Sequence, residues 1–91
     1  MKNNIQIMRL NEVLAMTQLS KTTLWHRTRD KLFPPSFKLG GTSSGYLKHE
    51  VIAVINAMAT GSSDKELMSL VERLVELRKQ SADAFLQSIA A

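Results

Sequence analysis

The stretch Leu10–Arg29, LNEVLAMTQLSKTTLWHRTR, contains two helix starts nine residues apart. Asn11 suits an N-cap before Glu12, Val13, Leu14, Ala15 and Met16, because its side-chain oxygen can accept a backbone N–H that the first turn leaves unpaired. Ser20 has the same role before Lys21, Thr22, Thr23, Leu24 and Trp25. Only Thr17, Gln18 and Leu19 remain to turn the corner, which is the spacing of a helix-turn-helix.

At about 100° per residue, Lys21, Thr22, Trp25, His26 and Arg29 share one side of the second helix, while Leu24 and Thr28 share the other. Such a helix would pack through Leu24 and leave donors and a flat aromatic for a DNA groove. A solvated helix with ordinary surface charge has the same pattern. The first helix is expected to bury Val13 and Met16, with Leu10 closing its N-terminal side.

The charge distribution bears on that choice. Residues 1–60 carry eight Lys and Arg against three Asp and Glu, a net +5, whereas residues 61–91 carry four against five, a net −1. A positive field centred on the helix pair would attract a polyanion. The chain has 91 residues, 44% of them hydrophobic and 22% charged, which fits one small globular domain with an appendage. It has no cysteine, which excludes disulfides and thiol chemistry and suits a reducing cytoplasm. The first residues, MKNNIQIMRLNE, are too polar for a secretory signal. The apolar run Val51–Ala59 is far short of the ~20 residues that span a bilayer. These features predict a cytoplasmic protein with no membrane partner.

Outward from the helix pair, residues before Arg9 read as an arm with a hint of alternation, ordered from about Met8 onward. Beyond Arg29, Pro34-Pro35 stops any helix. Ser36–Leu39 reads as a strand with Phe37 and Leu39 on one face, Gly40-Gly41 as the start of a turn, and Gly45–Leu47 as a returning strand. The polar tip Gly41–Ser44 would let backbone amides approach a phosphate. The glycine pair lacks the further spacing of a nucleotide-binding loop. A third helix is expected from Lys48 to about Thr60, packing through Val51, Val54, Ile55 and Met58. His26 and His49 have no second ligand at metal spacing, and His49 reads as a surface residue. The carboxylates read as scattered over helix surfaces with no paired nucleophile and base, so no enzyme activity and no cofactor are expected.

The ordered set MRLNEVLAMTQLSKTTLW (Met8–Trp25), Phe33-Pro34, KLGG (Lys38–Gly41) and GYLKHEV (Gly45–Val51) resembles the AlpA family of prophage regulators, which belongs with excisionase and MerR-like winged-helix domains. The resemblance covers about residues 8–60. It implies a mainly α fold with a small β-hairpin, a winged helix-turn-helix whose recognition helix, Ser20–Arg29, enters the major groove of double-stranded DNA. The hairpin Lys38–Leu47 would follow the backbone or the adjacent minor groove. Ser20, Lys21, Thr22, Thr23 and Trp25 carry over as groove or phosphate contacts, with Lys38 at the wing. His26, Arg27, Arg29, Lys31, Thr42 and Ser43 complete the candidate interface. The chain departs from the family pattern at His26, Arg27, Thr28 and Lys31, and its tip Thr42-Ser43-Ser44 lacks an arginine. Arg27 has two open placements, inside the fold or bent outward to a phosphate.

The implied function is a sequence-specific transcriptional regulator of phage type. An excisionase-like factor that bends DNA is the alternative within that class, and a protein-interaction module on the same fold is the alternative outside it. RNA polymerase or an integrase is the protein partner that such roles imply.

Residues 61–91 lie beyond the resemblance. Gly61-Ser62-Ser63 reads as a hinge, and Ser63 with Glu66 as a capping box opening a helix of about 25 residues, ~38 Å long. Its apolar residues include Leu67, Leu70, Val71, Leu74, Leu77 and Phe85, too long a stripe for so small a domain to cover. These six are the expected contacts of a homodimer, the alternative being packing on the chain's own domain.

Overall fold

The computed structural model describes residues 5–90. The elements run in the order β1 (Ile7–Met8), α1 (Leu10–Thr17), α2 (Lys21–Arg29), β2 (Phe37–Gly40), β3 (Ser43–Leu47), α3 (Lys48–Ala59) and α4 (Asp64–Ala90). This is a mainly helical, winged-helix-like fold around a small antiparallel sheet of order β1-β3-β2.

The arm enters the sheet one residue earlier than expected: Ile7 pairs with Leu47 and Met8 with Tyr46. The Gln6 carbonyl also accepts the Lys48 N–H at 2.9 Å. The part of the arm at residues 1–4 lies outside the described residues. The hairpin also forms, but β3 begins at Ser43, so the tip is the two-residue turn Gly41-Thr42 and not the whole of Gly41–Ser44. Gly40 pairs with Ser43 and Lys38 with Ser44, which leaves Leu39 as a bulge. Gly45 suits the centre of the sheet, because a Cβ there would lie 2.7 Å from Ile7 Cγ2 and the Ile7 side chain would have to shift.

Two expectations for α1 are corrected. Its cap is Arg9 and not Asn11, because the Glu12 carboxylate turns back to accept the Arg9 N–H at 2.7 Å and closes the first turn two residues sooner. Met16 is 41% exposed. In a helix of eight residues the inward side is taken by Val13, with Leu10 and Leu14 packed beside the core.

Val13, Leu24, Phe33, Val51 and Val54 are the centre of that core, joined by Met8, Leu67 and Val71. Phe33 is held under the sheet, its ring edge-on to Tyr46 with centroids 6.1 Å apart. Ile55 and Met58 continue the α3 stripe at its half-buried margin.

Glu50 departs from the reading of the carboxylates as surface groups: its side chain is 1% exposed. The Arg78 guanidinium from α4 meets it with two hydrogen bonds, Nε to Oε2 at 2.9 Å and Nη2 to Oε1 at 2.7 Å. Nη2 also donates to the Pro35 carbonyl at 2.7 Å, and the guanidinium lies 5.7 Å from the Phe37 ring centre. One side chain thus ties α4 to α3 and to the foot of the hairpin.

The capping box at Ser63 forms as read, with Ser63 Oγ accepting the Glu66 N–H and Glu66 Oε1 accepting the Ser63 N–H. The first half of α4 then packs on its own domain. Leu67 and Val71 are core residues, and Leu70 and Leu74 border them. That placement removes Leu67 and Val71 from the expected dimer contacts, since α4 turns back over α3 and encloses them. Leu77 and Phe85 stay exposed, at 41% and 65%.

Candidate nucleic-acid interface

The corner between α1 and α2 is built from local hydrogen bonds. Gln18 takes a left-handed conformation, φ 61°, and its N–H returns to the Leu14 carbonyl at 2.8 Å, ending α1. Thr17 Oγ1 accepts the Leu19 N–H. Ser20 then accepts the Thr23 N–H at 3.1 Å, satisfying one of the free donors at the start of α2. The Ser20 hydroxyl donates to Thr23 Oγ1 at 2.9 Å, so these two side chains hold each other.

Leu24, 2% exposed, anchors α2 to the core. With that side fixed, Lys21, Thr22, Thr23, Trp25, His26 and Arg29 are all exposed. Trp25 is 61% exposed, an unusual cost for so large an apolar ring. Its face lies 5.3 Å below the Arg29 guanidinium, and the His26 ring meets it edge-on at 5.1 Å. Arg29 also pairs with Asp30, Nε to Oδ1 at 3.1 Å, which holds the Asp30 carboxyl below its ordinary range. Both partners are about half exposed, so the pair is weak and open to exchange for a stronger anion.

Arg27 resolves inward. It is half-buried, its Nη2 contacts the Met58 sulfur at 3.4 Å, and its Nε is enclosed without a hydrogen-bond partner. This takes Arg27 off the exposed face. Lys31 is exposed and holds a left-handed φ of 65°, with its N–H on the Thr28 carbonyl.

On the hairpin, Lys38 and Thr42 are exposed and Ser43 is half-buried. Arg9 Nη2 lies 3.4 Å from Ser43 Oγ, which adds a cation beside the wing. The sequence reading omits Arg9 because the two residues are 34 positions apart and nothing local to Arg9 marks the contact.

Among the described residues, no group of three or more His, Cys, Asp or Glu side chains is arranged to hold a metal ion. No described helix is long and apolar enough to cross a membrane.

Comparison with known proteins gives one positive finding. No curated protein and no solved structure matches the chain. The family model described as prophage CP4-57 regulatory protein (AlpA) matches residues 6–56, more than half of the 91, from the residue before β1 into α3 and so across α1, α2 and the hairpin. By that match the chain belongs to the AlpA family of prophage regulatory proteins.

Proposed function

We propose that the protein is a sequence-specific DNA-binding regulator of transcription, non-enzymatic, with α2 as its recognition helix and the β2–β3 hairpin as its wing. The observation that carries this reading is the outward face of α2. Lys21, Thr22, Trp25, His26 and Arg29 stand exposed on a helix whose opposite side is pinned by Leu24. A helix of this kind fits the major groove, where lysine and arginine donors read guanine edges and hydroxyls reach phosphates. Lys38, Thr42 and Arg9 lie on or beside the wing and supply backbone contacts. Membership of a prophage regulatory family agrees with that role.

The proposal extends to homodimerisation through the uncovered part of α4, and to RNA polymerase or an integrase as the protein that reads the bound complex. Lys21→Ala and Arg29→Ala test the DNA reading. Both side chains are exposed, so the fold persists, and each loss is expected to weaken binding to a selected genomic fragment by ~1–3 kcal/mol if a bidentate base contact is broken. Affinity should fall with salt by about 0.9 log unit per log unit for each phosphate contact. Unchanged affinity in both variants, with no salt response, would favour a protein-interaction module.

A further inference from the structure

We infer that the protein pairs with a second copy through an antiparallel α4–α4 contact in which the free end of each helix fills a groove on the other. This rests on the DNA-binding reading only for its consequence for the operator. The contact itself follows from the shape and spacing of α4.

The helix has 27 residues and its two halves differ. From Leu67 to Arg78 one side is embedded on the domain, whereas every residue from Lys79 to Ile89 is exposed. That exposed half is still apolar along one stripe: Phe85, Leu86 and Ile89 are 65%, 61% and 64% exposed, with Ala82 in line. Three large uncovered side chains on one helical turn and a half are unfavourable in water.

Beside the embedded half runs a groove of about 630 Å3 between α4 and the segment after α2, with Met68, Val71 and Val75 on one wall, Phe33 and Pro35 on the other, and Lys65, Ser69 and Glu72 among its polar lining. The groove and the free end lie on one line of the helix. At about 100° per residue, Met68, Val75, Ala82, Leu86 and Ile89 fall within a sector of roughly 60°.

Their spacing is self-complementary about the point between Arg78 and Lys79. An antiparallel pair centred there sets Met68 against Ile89 of the partner subunit and Val75 against the partner's Ala82, with the partner's Leu86 between them over the groove. Each groove receives the other helix's end, and the contact closes as a two-fold dimer because both copies use the same stripe. A parallel pair would set free end against free end and leave both grooves empty. The exposed apolar area of these side chains in two copies is on the order of 1,000 Å2, the size at which specific association begins.

The groove's rim includes Thr28 and Lys31, at the C-terminal end of the recognition helix. A two-fold axis through α4 therefore fixes two copies of α2 relative to each other, so the DNA site is an inverted repeat.

The chain has no native cysteine, which makes cross-linking the direct test. Full-length Val75→Cys and Ala82→Cys variants are mixed and oxidised at micromolar concentration. The antiparallel register predicts disulfides between position 75 of one copy and position 82 of the other, in large excess over 75–75 and 82–82 products. Leu86→Glu, at an exposed position that leaves the fold intact, should weaken dimerisation more than tenfold in sedimentation equilibrium. Predominant 75–75 and 82–82 products would overturn the inference, as would a monomeric parent chain. A monomer that still binds DNA with a steep salt response refutes this dimer and leaves the DNA reading standing. A cross-linked dimer without DNA affinity does the reverse.

Discussion

Replacing Arg78 by methionine isolates the Glu50 carboxylate inside the fold. Glu50 is 1% exposed, and both its oxygens are held by the one guanidinium, at 2.7 and 2.9 Å. Methionine keeps the aliphatic bulk against Phe37 but supplies no donor, so the carboxylate must remain charged without a partner or take up a proton. Breaking a buried pair in this way costs about 3–5 kcal/mol, whereas an exposed pair would cost less than ~1. The Pro35 carbonyl loses its donor as well. Small domains are stable by only 5–15 kcal/mol, so the variant should lose a large share of its stability and melt ~12 °C or more lower. Urea unfolding followed by circular dichroism measures the loss. The companion Glu50→Leu/Arg78→Met removes both charges and should recover most of it, because the penalty lies in the unpaired charge rather than in the missing bond. A loss below ~1 kcal/mol for Arg78→Met alone would refute the argument, for it would mean that water reaches Glu50 and that α4 is not fastened there.

Two further outcomes follow from packing and ionisation. Leu24→Ala should cost about 2–5 kcal/mol in urea unfolding, since Leu24 is 2% exposed and is the residue through which α2 is seated. Burial raises the Tyr46 phenol above its ordinary value of 10.0, against a smaller downward pull from the Ser36 side chain. Below pH 10 both states hold the proton and stability is level. Above it the unfolded chain ionises first, so stability falls as pH rises toward the folded-state value. Chemical unfolding between pH 9 and 11.5 should show that fall in the parent chain and a shallower one in Tyr46→Phe.

The parts of the fold readable in advance are those with local causes. Ser20 and Ser63 each bond a backbone N–H three residues on, so their caps are visible in a few letters of sequence. The prolines and glycines around the hairpin act within one or two residues, and the hairpin came out close to expectation. The cap falls at Arg9 although Asn11 is the better capping residue in isolation, because the Glu12 carboxylate reaches back to the Arg9 N–H. Glu50 was illegible because its partner lies 28 residues away on another helix, and a glutamate in a first helical turn ordinarily faces water. The outward set on α2 follows from helical period alone. The inward turn of Arg27 depends on Met58, 31 residues on, and could not be read from its neighbours.

Lys31 occupies a backbone conformation that suits glycine, at an energetic disadvantage of roughly 1 kcal/mol for any residue bearing a Cβ. Glycine there would be the easier choice for folding, and it would forfeit a mobile positive charge at the edge of the proposed reading surface. The position thus sets thermodynamic robustness against electrostatic reach, and an engineer seeking a hardier version of this domain would meet that compromise first.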